Sequence, residues 1–142
     1  MLEQTRAPSQ HLKMPEGMIP IEHIYAAHQR SEAYARHTPL VRLNVADAPA
    51  EIYLKLENLQ KTGSFKPRGA LNKILSLSPE ERARGLVAAS AGNHALGVAH
   101  AARVLNLREV DIYVQANAAP AKIEKLRRYA VRVHLFGQTY EA

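Results

Sequence analysis

The chain has 142 residues, no cysteine and a formal net charge of +6, with 46% hydrophobic and 6% aromatic residues. This length suits one domain with its own core, and the aliphatic-rich, aromatic-poor composition favours an α/β protein. The absence of cysteine excludes disulfides and thiolate-bound metals. Because no segment reads as a signal peptide or a membrane span, we expect a soluble, cytoplasmic protein with no membrane partner.

The positive charge is the feature that would suit a nucleic acid or another anion. Its densest group lies on one predicted helix and lacks the interleaved aromatic residues of single-strand-binding proteins. The group consists of Lys122, Lys125, Arg127 and Arg128. We interpret it as a solvated helix face, and we expect no nucleic-acid partner.

The first part of the chain predicts a loose arm, one helix and two strands. Residues 1–20 are polar and show no apolar period, as is typical of a loose terminus. Apolar spacing predicts a helix over residues 21–36, which ends before Thr38-Pro39 because proline disfavours helix in the preceding residue. Alternating apolar and polar residues predict strands over residues 41–45 and 51–56.

The next helix is predicted to follow Ser64 and to run to about Leu77. Ser64 is a good N-cap for it, and Pro67 is tolerated in its first turn. Lys66 then lies at the helix start, where the positive potential of the helix and of Arg68 makes its amine a candidate nucleophile for a carbonyl. From this segment alone, an ordinary surface lysine on a capped helix is the alternative interpretation.

The rest of the chain predicts three strands that alternate with two helices. The strands are expected over residues 86–90, 110–115 and 131–136, and the helices over residues 93–106 and 119–129. Strands separated by helices pair in parallel through right-handed crossovers, so we expect a parallel sheet of the doubly wound α/β kind. In such sheets, ligands bind beyond the carboxyl ends of the strands.

The turn Ser90-Ala91-Gly92-Asn93 lies at such a carboxyl end and opens a helix. Free backbone N–H groups and the helix dipole favour an anion there, although a generic strand-to-helix turn is the alternative interpretation. His94 and His100 lie on different faces of this helix, and no carboxylate is suitably spaced to complete a metal site. We therefore expect no metal, and we interpret both histidines as solvated or capping residues.

Two segments taken together indicate a protein family more specifically than either does alone. They are residues 54–72, LKLENLQKTGSFKPRGALN, and residues 89–95, ASAGNHA. Both resemble the fold-type II pyridoxal-phosphate enzymes, and the serine/threonine dehydratases match best. The likeness implies a tryptophan synthase beta-like fold, of which residues 21–142 would be the amino-terminal portion. The glycine-rich loop that binds the cofactor phosphate would follow the last residue of this chain.

The resemblance also implies roles for individual residues. Lys66 would bind pyridoxal 5'-phosphate covalently, Phe65 would pack against the cofactor ring, and Asn93 would hydrogen-bond its phenolic oxygen. The substrate carboxylate would be held by Ser90, Ala91, Gly92, Asn93 and His94. The implied reaction is deamination of L-threonine or L-serine, in which the Lys66 amine removes the α-proton and the β-hydroxyl leaves. The released enamine then hydrolyses to a 2-oxo acid and ammonia, with the cofactor as electron sink.

Single residues favour the dehydratase branch within this family. Lys66-Pro67-Arg68 lacks the Asp that follows the lysine in threonine synthases, and Ala91 stands where serine racemases place a second serine. The serine racemase and threonine synthase branches are alternatives, as is a non-catalytic remnant or small α/β ligand-binding module. We also expect self-association or pairing with a carboxy-terminal part, because residues 131–136 would otherwise form an apolar edge.

Overall fold

The computed structural model describes residues 17–138, so that residues 1–16 of the predicted arm lie outside the described part. The helices are α1 (Ile21–Ser31), α2 (Lys66–Ser76), α3 (Pro79–Ala83), α4 (Asn93–Val104) and α5 (Pro120–Arg127). The strands are β1 (Leu40–Leu43), β2 (Ile52–Lys55), β3 (Leu86–Ala89), β4 (Val110–Val114) and β5 (Arg132–Leu135), and a short 3-10 helix spans Glu57–Leu59. Within the described residues, no helix is long and apolar enough to cross a membrane.

The three later strands form one parallel sheet in the order β3-β4-β5. Leu86 lies opposite Val110, and Asp111 lies opposite Arg132. The predicted β-α-β-α-β arrangement is therefore confirmed, with α4 and α5 as the crossover helices. Parallel pairing puts the carboxyl ends of all three strands at one edge of the sheet, where the turn that begins with Ser90 lies.

Strands β1 and β2 form a separate antiparallel pair, with Leu40 opposite Lys55. Both strands were predicted from alternation, and their existence is confirmed. Every residue of the two strands is exposed in the described part of the chain. The alternation of apolar and polar residues therefore indicated strands correctly. Neither face of this strand pair is covered by other parts of residues 17–138.

The core lies between the parallel sheet, α2 and α4. Its fully buried members include Leu71 from α2, Ala95 and Ala99 from α4, and Val110 and Ile112 from β4. Small alanine side chains let α4 lie close to its neighbours, since close packing of the interior depends on matched side-chain volumes. Most of α4 is consequently buried, and this helix is the central element of the fold.

Two helix predictions need correction. The helix expected over residues 21–36 ends at Ser31, whose hydroxyl donates to the Ala27 carbonyl oxygen at 2.8 Å. Further along, the backbone N–H of Arg36 donates to Gln60 Oε1 at 2.9 Å rather than to a helical carbonyl, so the helix cannot include residue 36. Helix α3 was not predicted, although Ser78 and Glu81 form a reciprocal capping box at its start.

A close backbone contact joins α2 to α4. A Cβ atom on Gly97 would lie 3.0 Å from the carbonyl carbon of Lys66 and 3.1 Å from its carbonyl oxygen. These are backbone atoms, which cannot move aside as the end of a flexible side chain can. Glycine is therefore required at position 97 for α4 to lie directly against the first residue of α2.

A charged network fixes the start of α2 on its other side. Arg68 donates from Nε and Nη2 to the two carboxylate oxygens of Glu57, both at 2.8 Å. The Thr38 hydroxyl also donates to this carboxylate at 2.5 Å, and Lys55 Nζ donates to the Thr38 carbonyl oxygen at 2.6 Å. The hydrogen bonds from Arg68, followed by that from Thr38, hold the pKa of Glu57 below its ordinary value of 4.5, against the opposing effect of burial.

The Gly97 contact predicts a size limit at this position. Gly97→Ala should lower the free energy of unfolding by about 1–3 kcal/mol, because the added methyl group forces α4 away from α2. Gly69→Ala is the matched control, since a Cβ at Gly69 meets nothing within 4 Å. The free energy of unfolding of this control should rise by about 0.5–1 kcal/mol, because alanine has a higher helix propensity than glycine. Urea unfolding of both variants checks the prediction, and equal effects would contradict it.

The network around Glu57 predicts a pH-dependent contribution to stability. Glu57→Gln should lower the free energy of unfolding by about 2 kcal/mol at pH 7, because charge-assisted hydrogen bonds are lost. The pKa of Glu57 is depressed in the folded state, so the contribution is present above pH 4.5 and is lost as pH falls through the folded pKa. The difference in the free energy of unfolding between Glu57→Gln and the wild type, measured by urea unfolding, should therefore be smaller at about pH 3 than at pH 7.

Glu124→Gln on α5 is the control for this experiment, because Glu124 is exposed. It should leave the free energy of unfolding nearly unchanged at pH 7. A Glu57→Gln effect of the same size at both pH values would show that the carboxylate charge is not what stabilises the network.

Candidate functional site

Lys66 is the first residue of α2, as predicted, and Pro67 lies in the first turn. The predicted N-cap is wrong, since Phe65 occupies the cap position and Ser64 is buried. Gly63, with a φ of +79°, turns the chain so that Ser64 points inward and cannot reach the free N–H groups of the helix start. The start of α2 therefore has no side-chain cap.

The Lys66 side chain lies beside an exposed aromatic ring. Its Nζ atom is 4.9 Å from the centroid of the Phe65 ring, within the range of a cation–π contact, and Phe65 is 57% exposed. The positive charge of Arg68 is offset by the ion pair with Glu57 rather than acting on Lys66 alone. Lys66 is thus a half-buried residue next to an exposed ring.

The turn that follows β3 lies at the carboxyl end of the sheet, as predicted. The Ser90 N–H donates to the Tyr113 carbonyl oxygen at 3.0 Å, which ties the turn to β4. The Gly92 N–H donates to Ser90 Oγ at 3.2 Å, and Gly92 is the N-cap of α4. These two bonds fix the backbone of the turn before the helix begins.

The N-terminus of α4 has no side-chain cap among the described residues. The N–H of Leu96 is the first to donate within the helix, to the Gly92 carbonyl oxygen at 3.2 Å. The N–H groups of Asn93, His94 and Ala95 therefore precede the first helical hydrogen bond. Such a helix start, with its positive dipole end, is suited to an anion.

Helices α2 and α4 pack against each other close to the predicted residues. Gly97, which lies against the Lys66 backbone, is one helical turn after Asn93 and on the same side of α4. The helix that begins at the turn after β3 therefore touches the first residue of α2, although the two segments lie far apart in the sequence. The roles of Lys66, Phe65 and the turn from Ser90 to His94 stay predictions.

The two histidines of α4 differ in their surroundings. His94 is exposed and lines a groove of about 220 Å³ between α2, β3 and α4. His100 is only 3% exposed, and neither ring nitrogen has a hydrogen-bond partner in the described structure. The prediction of a solvated or capping role is therefore wrong for His100, because α2 and the sheet cover α4 from Ala95 onward. Burial lowers the pKa of His100, and the charges of Arg103 and Lys61 lower it further.

Sequence reasoning also missed two buried hydroxyl groups. Thr62 Oγ1 and Ser64 Oγ lie just before Lys66 and have no hydrogen-bond partner among residues 17–138. Their inward orientation follows from the turn at Gly63, whose glycine was the available sequence signal. No group of three or more metal-ligating side chains is found within the same residues.

Comparisons with known proteins identify relatives of this chain. A sequence profile of the family described as pyridoxal-phosphate dependent enzyme matches residues 32–142. The chain is 47% identical to an L-threonine ammonia-lyase of Thermotoga maritima, over 88% of this chain and 32% of that protein. It is 44% identical to a catabolic L-threonine dehydratase of Staphylococcus aureus, over 75% of this chain and 32% of that protein.

Solved structures give the same result at the level of the fold. The serine racemase of Dictyostelium discoideum superposes with a TM-score of 0.79 and 37% identity, covering 87% of this chain and 41% of that one. The maize serine racemase superposes with a TM-score of 0.77 and 33% identity, covering 86% and 37%. The chain spans about a third of the length of the curated relatives that it matches, 32% of each. On these similarities, the chain belongs to the family of pyridoxal-phosphate dependent enzymes.

Proposed function

We propose that this chain is the amino-terminal part of a pyridoxal-phosphate-dependent dehydratase that deaminates L-threonine or L-serine to a 2-oxo acid. The contact of Gly97 with the Lys66 backbone is the observation that carries this proposal, because it joins the first residue of α2 to the helix whose start is suited to an anion. The names of the two curated relatives, an ammonia-lyase and a dehydratase of L-threonine, support the reaction and its substrate.

The residues around Lys66 fit the aldehyde end of the cofactor. Lys66 is a half-buried residue whose amine lies beside the exposed ring of Phe65, and this ring would offer an apolar face to the pyridine ring. Asn93 is the first residue of α4, and its exposed carboxamide is available to the phenolic oxygen. Lys66, Phe65 and Asn93 would therefore hold the cofactor, which when bound supplies an electron sink for the substrate carbanion.

The turn after β3 supplies the binding site for the substrate carboxylate in this proposal. The N–H groups that open α4 and the hydroxyl of Ser90 are polar donors at the positive end of the helix dipole. A carboxylate held there would orient the substrate with its Cα towards Lys66. The Lys66 amine, freed from the cofactor, would take the α-proton before the β-hydroxyl leaves as water.

A serine racemase is the second candidate, supported by the likeness to the Dictyostelium discoideum structure. Racemisation requires a proton donor on the face of the substrate opposite Lys66. Residue 91 is alanine and has no hydroxyl to donate, which favours the dehydratase. Chiral analysis of products from L-serine distinguishes the two, since a dehydratase yields pyruvate and a racemase yields D-serine.

The cofactor role of Lys66 predicts selective chemical labelling. Pyridoxal phosphate followed by borohydride should modify Lys66 in preference to other lysines, because its amine lies beside an aromatic ring at the start of a helix. Mass spectrometry of proteolytic peptides measures the modification at each lysine, and Lys66→Ala is the control. Equal modification of Lys55, Lys61 and Lys73 would contradict the proposal.

The composition of the chain predicts that its activity depends on further polypeptide. None of the seven glycines is adjacent to another, so no glycine-rich loop is present for the cofactor phosphate. A cofactor held at one end loses orientation, and the rate should fall by roughly several orders of magnitude. The 142-residue chain with saturating cofactor should therefore make negligible 2-oxobutanoate from L-threonine, unless the carboxy-terminal part of the enzyme is added.

The comparison that matters in this assay is between the wild type and Lys66→Ala. Turnover at about ten per second that disappears in the variant would show that this chain suffices for catalysis.

A further inference from the structure

Unpaired buried polar atoms are concentrated next to Lys66. Within residues 17–138, five buried side-chain nitrogen or oxygen atoms have no hydrogen-bond partner, and four of them belong to Thr62, Ser64 and His100. The fifth is Nε of Arg82, on α3. We refer to Thr62, Ser64 and His100 as the buried polar cluster.

The buried polar cluster lies on the two segments that hold the Lys66 backbone. Thr62 and Ser64 precede Lys66 by four and two residues, and each is 8% exposed. His100 lies about one turn beyond Gly97 on the same side of α4, and Gly97 touches Lys66. The imidazole is therefore packed near the segment that leads into α2.

The imidazole of His100 is well suited to exchange hydrogen bonds with hydroxyl groups. Burial lowers its pKa, and the charges of Arg103 and Lys61 act in the same direction, so the neutral form of the ring is favoured. A neutral ring has one N–H donor and one acceptor nitrogen, and each hydroxyl can also donate and accept. No carboxylate contributes to the pKa of His100, and none is hydrogen-bonded to it in the described structure.

Leaving these groups unpaired opposes folding. A buried donor or acceptor without a partner loses its bonds to water and gains none in return. Apolar side chains of similar volume would fill the same space without that penalty. Polar groups kept at such a cost are characteristic of functional sites, where one state of the site pairs them and another does not.

We propose that Thr62, Ser64 and His100 are positioning residues for Lys66, and that they hydrogen-bond to one another when the segment before α2 adjusts to a carbonyl compound bound at Lys66. The bonds then hold the Lys66 backbone, and hence its amine, in the reactive orientation. This inference rests on the proposed function, because it assumes that Lys66 reacts with pyridoxal phosphate.

The test removes the polar atoms while keeping the side-chain volume. The variants are Thr62→Val, Ser64→Ala and His100→Leu, and His100→Asn retains a donor and an acceptor. Two quantities are measured on the full chain, namely the thermal unfolding temperature without cofactor and the rate at which pyridoxal phosphate and borohydride label Lys66.

The three apolar variants should unfold at the same or a higher temperature, yet label Lys66 at least about tenfold more slowly. His100→Asn should recover most of the wild-type labelling rate. Arg82→Met is the matched control, since it removes the fifth unpaired atom, which lies on a different helix from Lys66. It should leave the labelling rate unchanged.

Unchanged labelling in the apolar variants would overturn the inference, and so would a decrease that only follows a lower unfolding temperature. If His100→Leu does not fold, Thr62→Val and Ser64→Ala decide the question, because both are small changes. Failure of the wild type to label Lys66 would instead overturn the proposed function, and the inference with it. The two failures are therefore distinguishable.

Discussion

The proposed site depends on the contact between Gly97 and the backbone of Lys66. Helices α2 and α4 come from different parts of the chain, and the contact lets them meet without a side chain between them. A larger residue at position 97 would push α4 away from the first residue of α2. A displacement of a reacting group by about one ångström can change its reactivity greatly. The absence of a Cβ atom at position 97 therefore matters to any chemistry at Lys66.

The other side of α2 is held by charge rather than by close packing. Glu57 accepts hydrogen bonds from Arg68 and Thr38, and these bonds fix Arg68, which follows Lys66 by two positions. The start of α2 is thus held by α4 on one side and by this network on the other. The first turn of α2 therefore has contacts on both sides, while Lys66 is only partly buried and the ring of Phe65 is exposed.

Much of this arrangement could be predicted from local patterns in the sequence. Short apolar runs that alternate with helical patterns predicted the parallel sheet. Strands joined by a helix almost always pair in parallel through a right-handed crossover. The position of Lys66 at a helix start, and of Ser90 at the end of β3, followed from the same patterns. Family resemblance then supplied roles for these residues, and those roles stay predictions.

Local patterns were enough to predict the type and order of the elements, since periodicity and turn residues act over a few neighbouring positions. Which faces are covered depends on how the elements pack in three dimensions. His100 is buried because α2 and the sheet lie over α4, and Ser64 faces inward because Gly63 reverses the chain there. Helix α1 does not reach residue 36 because distant Gln60 accepts the N–H of Arg36. The burial of His100 and the early end of α1 depend on contacts between residues that no local pattern relates.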